Sequence, residues 1–303
     1  MNGVERHMNR RSFLAAVLAT PALAAVLAAC GDPSTAPLDT APPSTTPLDT
    51  APPPTVGRPT GADDVVLRIG YEGGLVTPQM AFVRTLSLLI AGDGRAIVST
   101  AVPAIYPGPL LPVLNVRTID PIGVGAVLRA AQAAGLLTPP PDYHLPEGVG
   151  VADASDTVVE IHANGTSFVH RANALDITGI GTTPDRERLS KFVAAMSDLA
   201  TAAGADHLGA QVPFVATRYR LQARPVDTGQ YPQEPKPTVV PWPADTGIAL
   251  ADAVPKDMTS CTTIDAAKVG TLFTTANQLT FFSDAGVTYQ LAVIQGLPGD
   301  AGC

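Results

Sequence analysis

Beyond residue 63 the apolar positions alternate between two periods, and the changes of period outline the elements. Three segments with strand-like alternation, each interrupted by turn residues, read as β-hairpins. Leu86–Val98 carries Asp93-Gly94 at its turn, and Thr157–Arg171 is centred on Asn164-Gly165. Both dipeptides predict type I′ turns, which need positive φ at both central residues. Leu279–Gln295 turns at Asp284-Ala285-Gly286, which predicts a three-residue loop with Gly286 at positive φ. Three other segments follow helical spacing. Asp120-Pro121 supplies an N-cap and a first-turn proline, with Ile122, Ala126, Val127, Ala130 and Ala134 as apolar face and Gly135 as stop. Thr183-Pro184 opens the second, where Asp185 and Glu187 suit the positive end of the dipole. Its stripe is Leu189, Phe192, Val193, Met196 and Leu199, ending near Gly204. The third runs from about Asp265 to Asn277, with Ala266, Val269, Leu272, Phe273 and Ala276 on one side.

With a further strand at Phe214–Arg224, the order is hairpin, helix, hairpin, helix, strand, helix, hairpin. Hairpins pair antiparallel strands, so the expected class is α+β, with about three helices packed on antiparallel sheet. Two subdomains, split near Pro139-Pro140-Pro141 or near Gly204, are compatible with this order. The segment Pro225–Pro243 reads as a long surface loop, and Trp242, the only tryptophan, as a core anchor, the alternative being an exposed aromatic for ligands.

The first 62 residues follow neither period. Phe13–Ala29 is an apolar run of 17 residues interrupted by Thr20-Pro21. Crossing the hydrocarbon core takes about 20 apolar residues, so the run reads as an export signal and not as a span. From residue 31 to about 62 the chain is low in complexity, with PLDTAPP at 37–43 and again at 47–53. Pro, Ala, Thr, Asp and Ser bury too little apolar surface to offset ordering entropy, so this stretch is expected to be a disordered linker. In polyproline II, at about 3.1 Å per residue, it would reach up to roughly 90 Å. The expected organisation is a signal peptide at 1–29, a modified cysteine and linker at 30–62, and an α+β body at 63–303.

Two motifs give the leader its meaning. Arg10-Arg11-Ser12-Phe13-Leu14 resembles the twin-arginine export signal, although two arginines before an apolar run also satisfy the general secretory route. Leu27-Ala28-Ala29-Cys30, followed by Gly31, resembles the bacterial lipobox. That resemblance implies a diacylglycerol on the Cys30 thiol, cleavage before Cys30, and lipid anchoring on the extracytoplasmic face of the cell membrane. The alternative is ordinary secretory cleavage beside a chance cysteine. The body, through RIGYEGGLVTP, GDGRAIV, Trp242-Pro243 and the ending Tyr289, Leu297-Pro298, Cys303, resembles uncharacterised secreted proteins and lipoproteins of actinobacteria. This implies a location and no activity.

Charge narrows the choice of partner. The whole chain has 19 Lys+Arg and 27 Asp+Glu, net −8. Removing Arg6, Arg10, Arg11 and Glu5 with the signal leaves 16 against 26, net −10. With no run of Lys or Arg, binding to a nucleic-acid backbone is not expected. After Cys30, only Cys261 and Cys303 remain, and outside the cytoplasm two cysteines are expected to pair, the alternative being two free thiols.

Chemistry is sparse. No nucleophile elbow, zinc-protease motif, phosphate loop or dinucleotide fingerprint occurs. His162 and His170 look like a pair, but a two-residue turn at Asn164-Gly165 sets them opposite Ser167 and Val159 and on opposite faces, so they cannot share a metal. His207 follows a helix end, and Asp142, Glu147, Asp153 and Asp156 form an acidic loop without calcium spacing. No metal or cofactor is implied. The leading expectation is a non-catalytic binding domain for an envelope protein or a small apolar ligand. The rival is a cell-envelope hydrolase with dispersed residues, whose candidates are Glu72 beside Gly73-Gly74, Asp93 and His144.

Overall fold

A computed structural model describes residues 55–303 apart from Thr85, Pro103, Asp176, Gly181, Met258 and Thr259. The Arg10-Arg11 motif, Cys30 and the PLDTAPP repeats lie outside the described residues. In chain order the elements are β1 (Val65–Gly73), α1 (Pro78–Phe82), β2 (Leu88–Ala91), β3 (Arg95–Ser99), β4 (Leu114–Thr118) and α2 (Pro121–Ala133). There follow β5 (Ser155–Ala163), β6 (Thr166–Asn173), α3 (Pro184–Met196), α4 (Leu199–Ala203), β7 (Val212–Pro213) and β8 (Arg218–Pro225). The chain ends with β9 (Thr238–Pro241), β10 (Thr262–Asp265), α5 (Ala266–Val269), α6 (Leu272–Thr275), β11 (Thr280–Asp284) and β12 (Val287–Gln295).

The class is α+β. One sheet has seven strands in the order β6-β5-β1-β2-β3-β4-β7, and the other has five in the order β10-β8-β12-β11-β9. Neighbours are antiparallel except β9 and β11, which run parallel. Helices α2, α3 and α4 cover one face of the larger sheet, where Leu67, Ile90 and Ile161 meet Val127, Leu128, Leu189 and Phe192. Leu89, Ile97 and Leu114 on the opposite face pack with Leu297, so this sheet is covered on both sides. The smaller sheet buries Leu221, Phe282 and Val293 under Trp242, Leu250 and Phe273. Trp242 is a core residue: its indole N–H donates to the Ile248 carbonyl at 2.8 Å, and its ring stacks on Phe273.

Residues 53–303 form one compact unit. The chain leaves the larger sheet after β7 and enters the smaller at β8, so the change of layer falls at 214–217, not at Pro139–Pro141 or Gly204. The ordered body also begins before residue 63. Gly57 N–H donates to the Asn164 side chain at 2.8 Å, Arg58 donates to the Gly92 carbonyl at 2.7 Å, and Val56 packs on the main core. Composition places these residues in the linker; the Asn164 side-chain oxygen and the Gly92 carbonyl hold them to the body.

The hairpins form where expected, with two corrections at the turns. At Asn164-Gly165 both residues have positive φ, 52° and 73°, and Ala163 pairs with Thr166, as a type I′ turn requires. Near Asp93 the register is symmetric about that residue, since Ile90 pairs with Ala96, and only Gly94 has positive φ, at 86°. That turn is therefore a three-residue loop and not type I′. Conversely, Asp284 pairs with Val287, leaving Ala285 and Gly286 at φ 48° and 81° as a two-residue turn.

The helices were legible at their starts and less so along their length. Asp120 and Thr183 cap α2 and α3 with their side chains. The buried face of α2 is Gly123, Val124, Val127, Leu128 and Ala131, while Ile122 is 61% exposed. Apolar residues surround this helix, so spacing could not select the face; close packing at Gly123 does, since a Cβ there would lie 2.9 Å from His207 and Ile119. The second helix breaks at Ser197-Asp198, where Asp198 accepts from Thr201 N–H and starts α4. The third splits into α5 and α6 at Gly270, whose φ of 51° is incompatible with helix.

Candidate functional site

The three candidate catalytic residues are not assembled. Glu72, near the end of β1, accepts from Arg171 at 2.6 Å. Asp93 is held by its neighbour Arg95 at 2.7 Å. His144 sits in an exposed loop, 3.1 Å from Asp142. Asp64 lies beside Gly92, where Gly92 N–H donates to its carbonyl at 2.9 Å, and Glu72 is eight strand residues further on. That places Glu72 and Asp93 near opposite ends of β1. No hydrogen bond or ion pair among the described residues joins any two of the three.

The histidines are equally separate. His162 pairs with Glu160 at 2.7 Å on the outer face of the larger sheet. His170 is fully buried on the helix side, opposite Val159. Its Nε2 lies 2.9 Å from the Leu136 carbonyl and its Nδ1 lies 2.8 Å from the Tyr143 hydroxyl. A carbonyl only accepts, so Nε2 carries the proton, Nδ1 accepts, and Tyr143 donates. Burial lowers the His170 pKa and pushes the Tyr143 hydroxyl up to about 12, with the Asp185 charge adding to the latter. His207 pairs with Asp120 at 2.9 Å, at the start of α2. Among the described residues no group of three or more His, Cys, Asp or Glu side chains could hold a metal ion, and no helix is long and apolar enough to cross a membrane.

Among the candidates Glu72 lines a cavity that gathers charged groups from several segments of the described residues. Two adjoining hollows of about 400 and 470 Å³ share Arg68, Glu72, Ala81, Arg84, Leu86, Arg220 and Asp300. They lie between the outer face of β1 and the face of the smaller sheet that carries Arg220, with α1 beside them. Strand alternation sets the walls: Leu67 and Ile69 point to the helices, so Arg68, Gly70 and Glu72 point the other way. On β8, Leu221 and Ala223 fill the second core, so Arg220 points out of it, opposite Ile294.

Gly70 lines the smaller of the two hollows. It has no positive φ, and a Cβ there would sit 3.7 Å from Leu86, an ordinary contact. Neither backbone conformation nor packing demands glycine at this strand position, where it weakens the strand. The absent side chain keeps the hollow open.

Three guanidinium groups face it. Arg68 pairs with Asp300 at 3.0 Å. Arg84 donates to the Gly73 carbonyl at 2.7 Å, and no carboxylate of the described residues pairs with it. Arg220 lies over the Phe82 ring at 5.9 Å; among the described residues its nearest carboxylate is Asp300 at 3.8 Å and its buried Nε has no partner. Asp300 is positioned by the tail around it. Its carboxylate accepts from Leu297 N–H at 3.0 Å, and the Cys261–Cys303 disulfide fastens the tail beside β10, the neighbour of β8. Sequence reading missed this constellation because its members come from β1, the segment after α1, β8 and the C-terminal tail. The one local signal was a strand glycine between Arg68 and Glu72.

Another cavity, of about 530 Å³, opens where α3 gives way to α4. Its charged groups are already engaged: Arg117 donates to the Gly209 carbonyl and Asp198 caps α4. Compared with protein-family models, with curated proteins and with solved structures, the chain matches none.

Proposed function

We propose that the protein is a lipid-anchored, extracytoplasmic binding domain that takes a small ligand in the cleft between its two sheets. The lipobox-like Leu27-Ala28-Ala29-Cys30 and the proline-rich segment after it support the anchor and the spacer. The observation that carries the binding role is the pair of adjoining hollows, one lined by Gly70, with polar groups converging on a space of small-molecule size. Its polar lining fits a polar or amphipathic ligand better than the purely apolar one expected from the sequence. The separation of Glu72, Asp93 and His144 gives the hydrolase reading no support.

Two measurements test the two halves. Cys30→Ala should move the protein from the membrane to the soluble fraction of its host; retention on the membrane would remove the anchor. Native mass spectrometry of the full chain should show a co-purifying small molecule that Gly70→Leu displaces, since the new side chain fits beside Leu86 and fills the hollow. Equal ligand occupancy in both proteins would move the site elsewhere.

A further inference from the structure

The charges around the cleft are unequally satisfied, and the inequality specifies a ligand class. Six charged side chains line the two hollows: Arg68, Arg84, Arg220, Glu72, Glu160 and Asp300. The carboxylates are all hydrogen-bonded. Glu72 accepts from Arg171 at 2.6 Å, Glu160 is 2.7 Å from His162, and Asp300 takes Arg68 and Leu297 N–H, both at 3.0 Å. Among the arginines only Arg68 has a carboxylate within hydrogen-bond distance. Arg84 is bonded to a neutral carbonyl, and Arg220 stands 3.8 Å from Asp300, too far for a hydrogen bond. A buried donor without a partner is rare and costly, and the Arg220 Nε is one. In a chain of net charge −8, this cleft holds two incompletely neutralised guanidinium groups.

We infer that the cleft binds an oxyanion, a carboxylate or phosphate ester, with Arg84 and Arg220 as its ligands; this rests on the cleft being the binding site. Guanidinium groups present planar, multiple N–H donors that match both oxyanions, and hydrogen bonds between two charged partners are about twice as strong as neutral ones. Next to the arginines, Phe82, Leu86, Leu114, Ile294 and Leu297 provide apolar wall. The ligand therefore carries its charge at one end and a short apolar body at the other.

Calorimetry of the full chain with hexanoate, hexyl phosphate and uncharged hexan-1-ol tests this. Hexanoate or hexyl phosphate should bind at least ~10-fold more tightly than the alcohol, and the better of the two identifies the headgroup. Arg84→Gln and, separately, Arg220→Gln should each weaken the anion about 10-fold and leave the alcohol unchanged. Arg84 is at the rim, so its variant keeps the test intact if Arg220→Gln unfolds. Anion binding equal to the alcohol's, insensitive to both substitutions, or undetectable would overturn the oxyanion assignment. Gly70→Leu separates the two levels of the reading. If it blocks an alcohol that binds as well as the anions, the cleft stands and the oxyanion falls. If it leaves anion binding unchanged, the cleft itself is the wrong site and both fall.

Discussion

Arg68 on β1 and Asp300 in the C-terminal tail are joined by an ion pair of 3.0 Å across 232 positions of sequence. The contact ties the last segment of the chain to the first strand and holds one wall of the cleft. The tail reaches β1 because Gly299 takes φ 74°, and a Cβ there would lie 2.4 Å from Val65. Beyond it, Cys303 is bonded to Cys261. The pairing closes a loop spanning 42 residues, worth up to about 4 kcal/mol in the chain-entropy model. Both thiols should resist alkylation in the native, unreduced protein. The double substitution Cys261→Ala, Cys303→Ala should lower unfolding free energy by a few kcal/mol and loosen the Arg68–Asp300 contact, seen as faster amide exchange after Gln295. Rapid alkylation without reductant would exclude the bridge.

A second expectation concerns the β11–β12 turn. Ala285 occupies φ 48°, a conformation that costs an L-residue with a Cβ roughly 1–2 kcal/mol. Ala285→Gly or Ala285→Asn should therefore raise stability by about 0.5–1 kcal/mol, because both residues tolerate this region. Gly286→Ala, at φ 81°, should lower it by a similar or larger amount. Urea unfolding of the three variants checks the order; a stabilising Gly286→Ala would contradict the turn.

The buried His170 makes stability depend on pH. Burial lowers its pKa below the unfolded value near 6.5, so the unfolded chain takes up the proton more readily. Its contribution is complete above pH ~6.5 and is lost as the pH falls below it. Protonating Nδ1 would also remove the acceptor that Tyr143 uses. His170→Phe should be destabilised at pH 7.5 by about 1–3 kcal/mol, from the orphaned Tyr143 hydroxyl, yet lose less stability between pH 7.5 and 5 than the natural chain. Parallel pH slopes for the two proteins would refute the assignment.

What the sequence disclosed follows from how local each signal is. Asn164-Gly165 sits between alternating residues, and positive φ at two adjacent positions leaves few alternatives, so turn, register and the opposite facing of His162 and His170 were all legible. Asp120-Pro121 and Thr183-Pro184 specify helix starts through one hydrogen-bonding side chain and one fixed φ. The breaks at Asp198 and Gly270 were hidden because apolar spacing continues through them. The short edge strands β7, β9 and β10 have too few residues to show a period. The cleft was invisible for a different reason: Arg68, Arg84, Arg220 and Asp300 become neighbours only through the pairing of distant strands, and no spacing encodes that.

Arg186 gives the last test, because its environment is unusual for a cation. It is 2% exposed, and no carboxylate among the described residues pairs with it. Its Nη1 donates to the Tyr143 carbonyl at 2.8 Å, and its Nη2 to those of Asn173 and Ala174 at 2.8 and 3.3 Å. Burial lowers its pKa, yet a guanidinium stays charged, and three carbonyl dipoles face the cation. This side chain pins the loop after α2 to the end of β6, and with it the Tyr143–His170 contact. Arg186→Met keeps the apolar stem and leaves three buried acceptors without a donor, at about 1–3 kcal/mol for each that water cannot reach. Arg186→Lys should recover only part of the loss, because one ammonium cannot span carbonyls from two segments in the fork geometry of arginine. Guanidinium chloride unfolding should rank natural above Lys above Met, and Tyr143 should titrate closer to 10 in the Met variant by ultraviolet absorbance. Equal stability of Lys and Arg would show that charge alone, and not the fork, holds the two segments together.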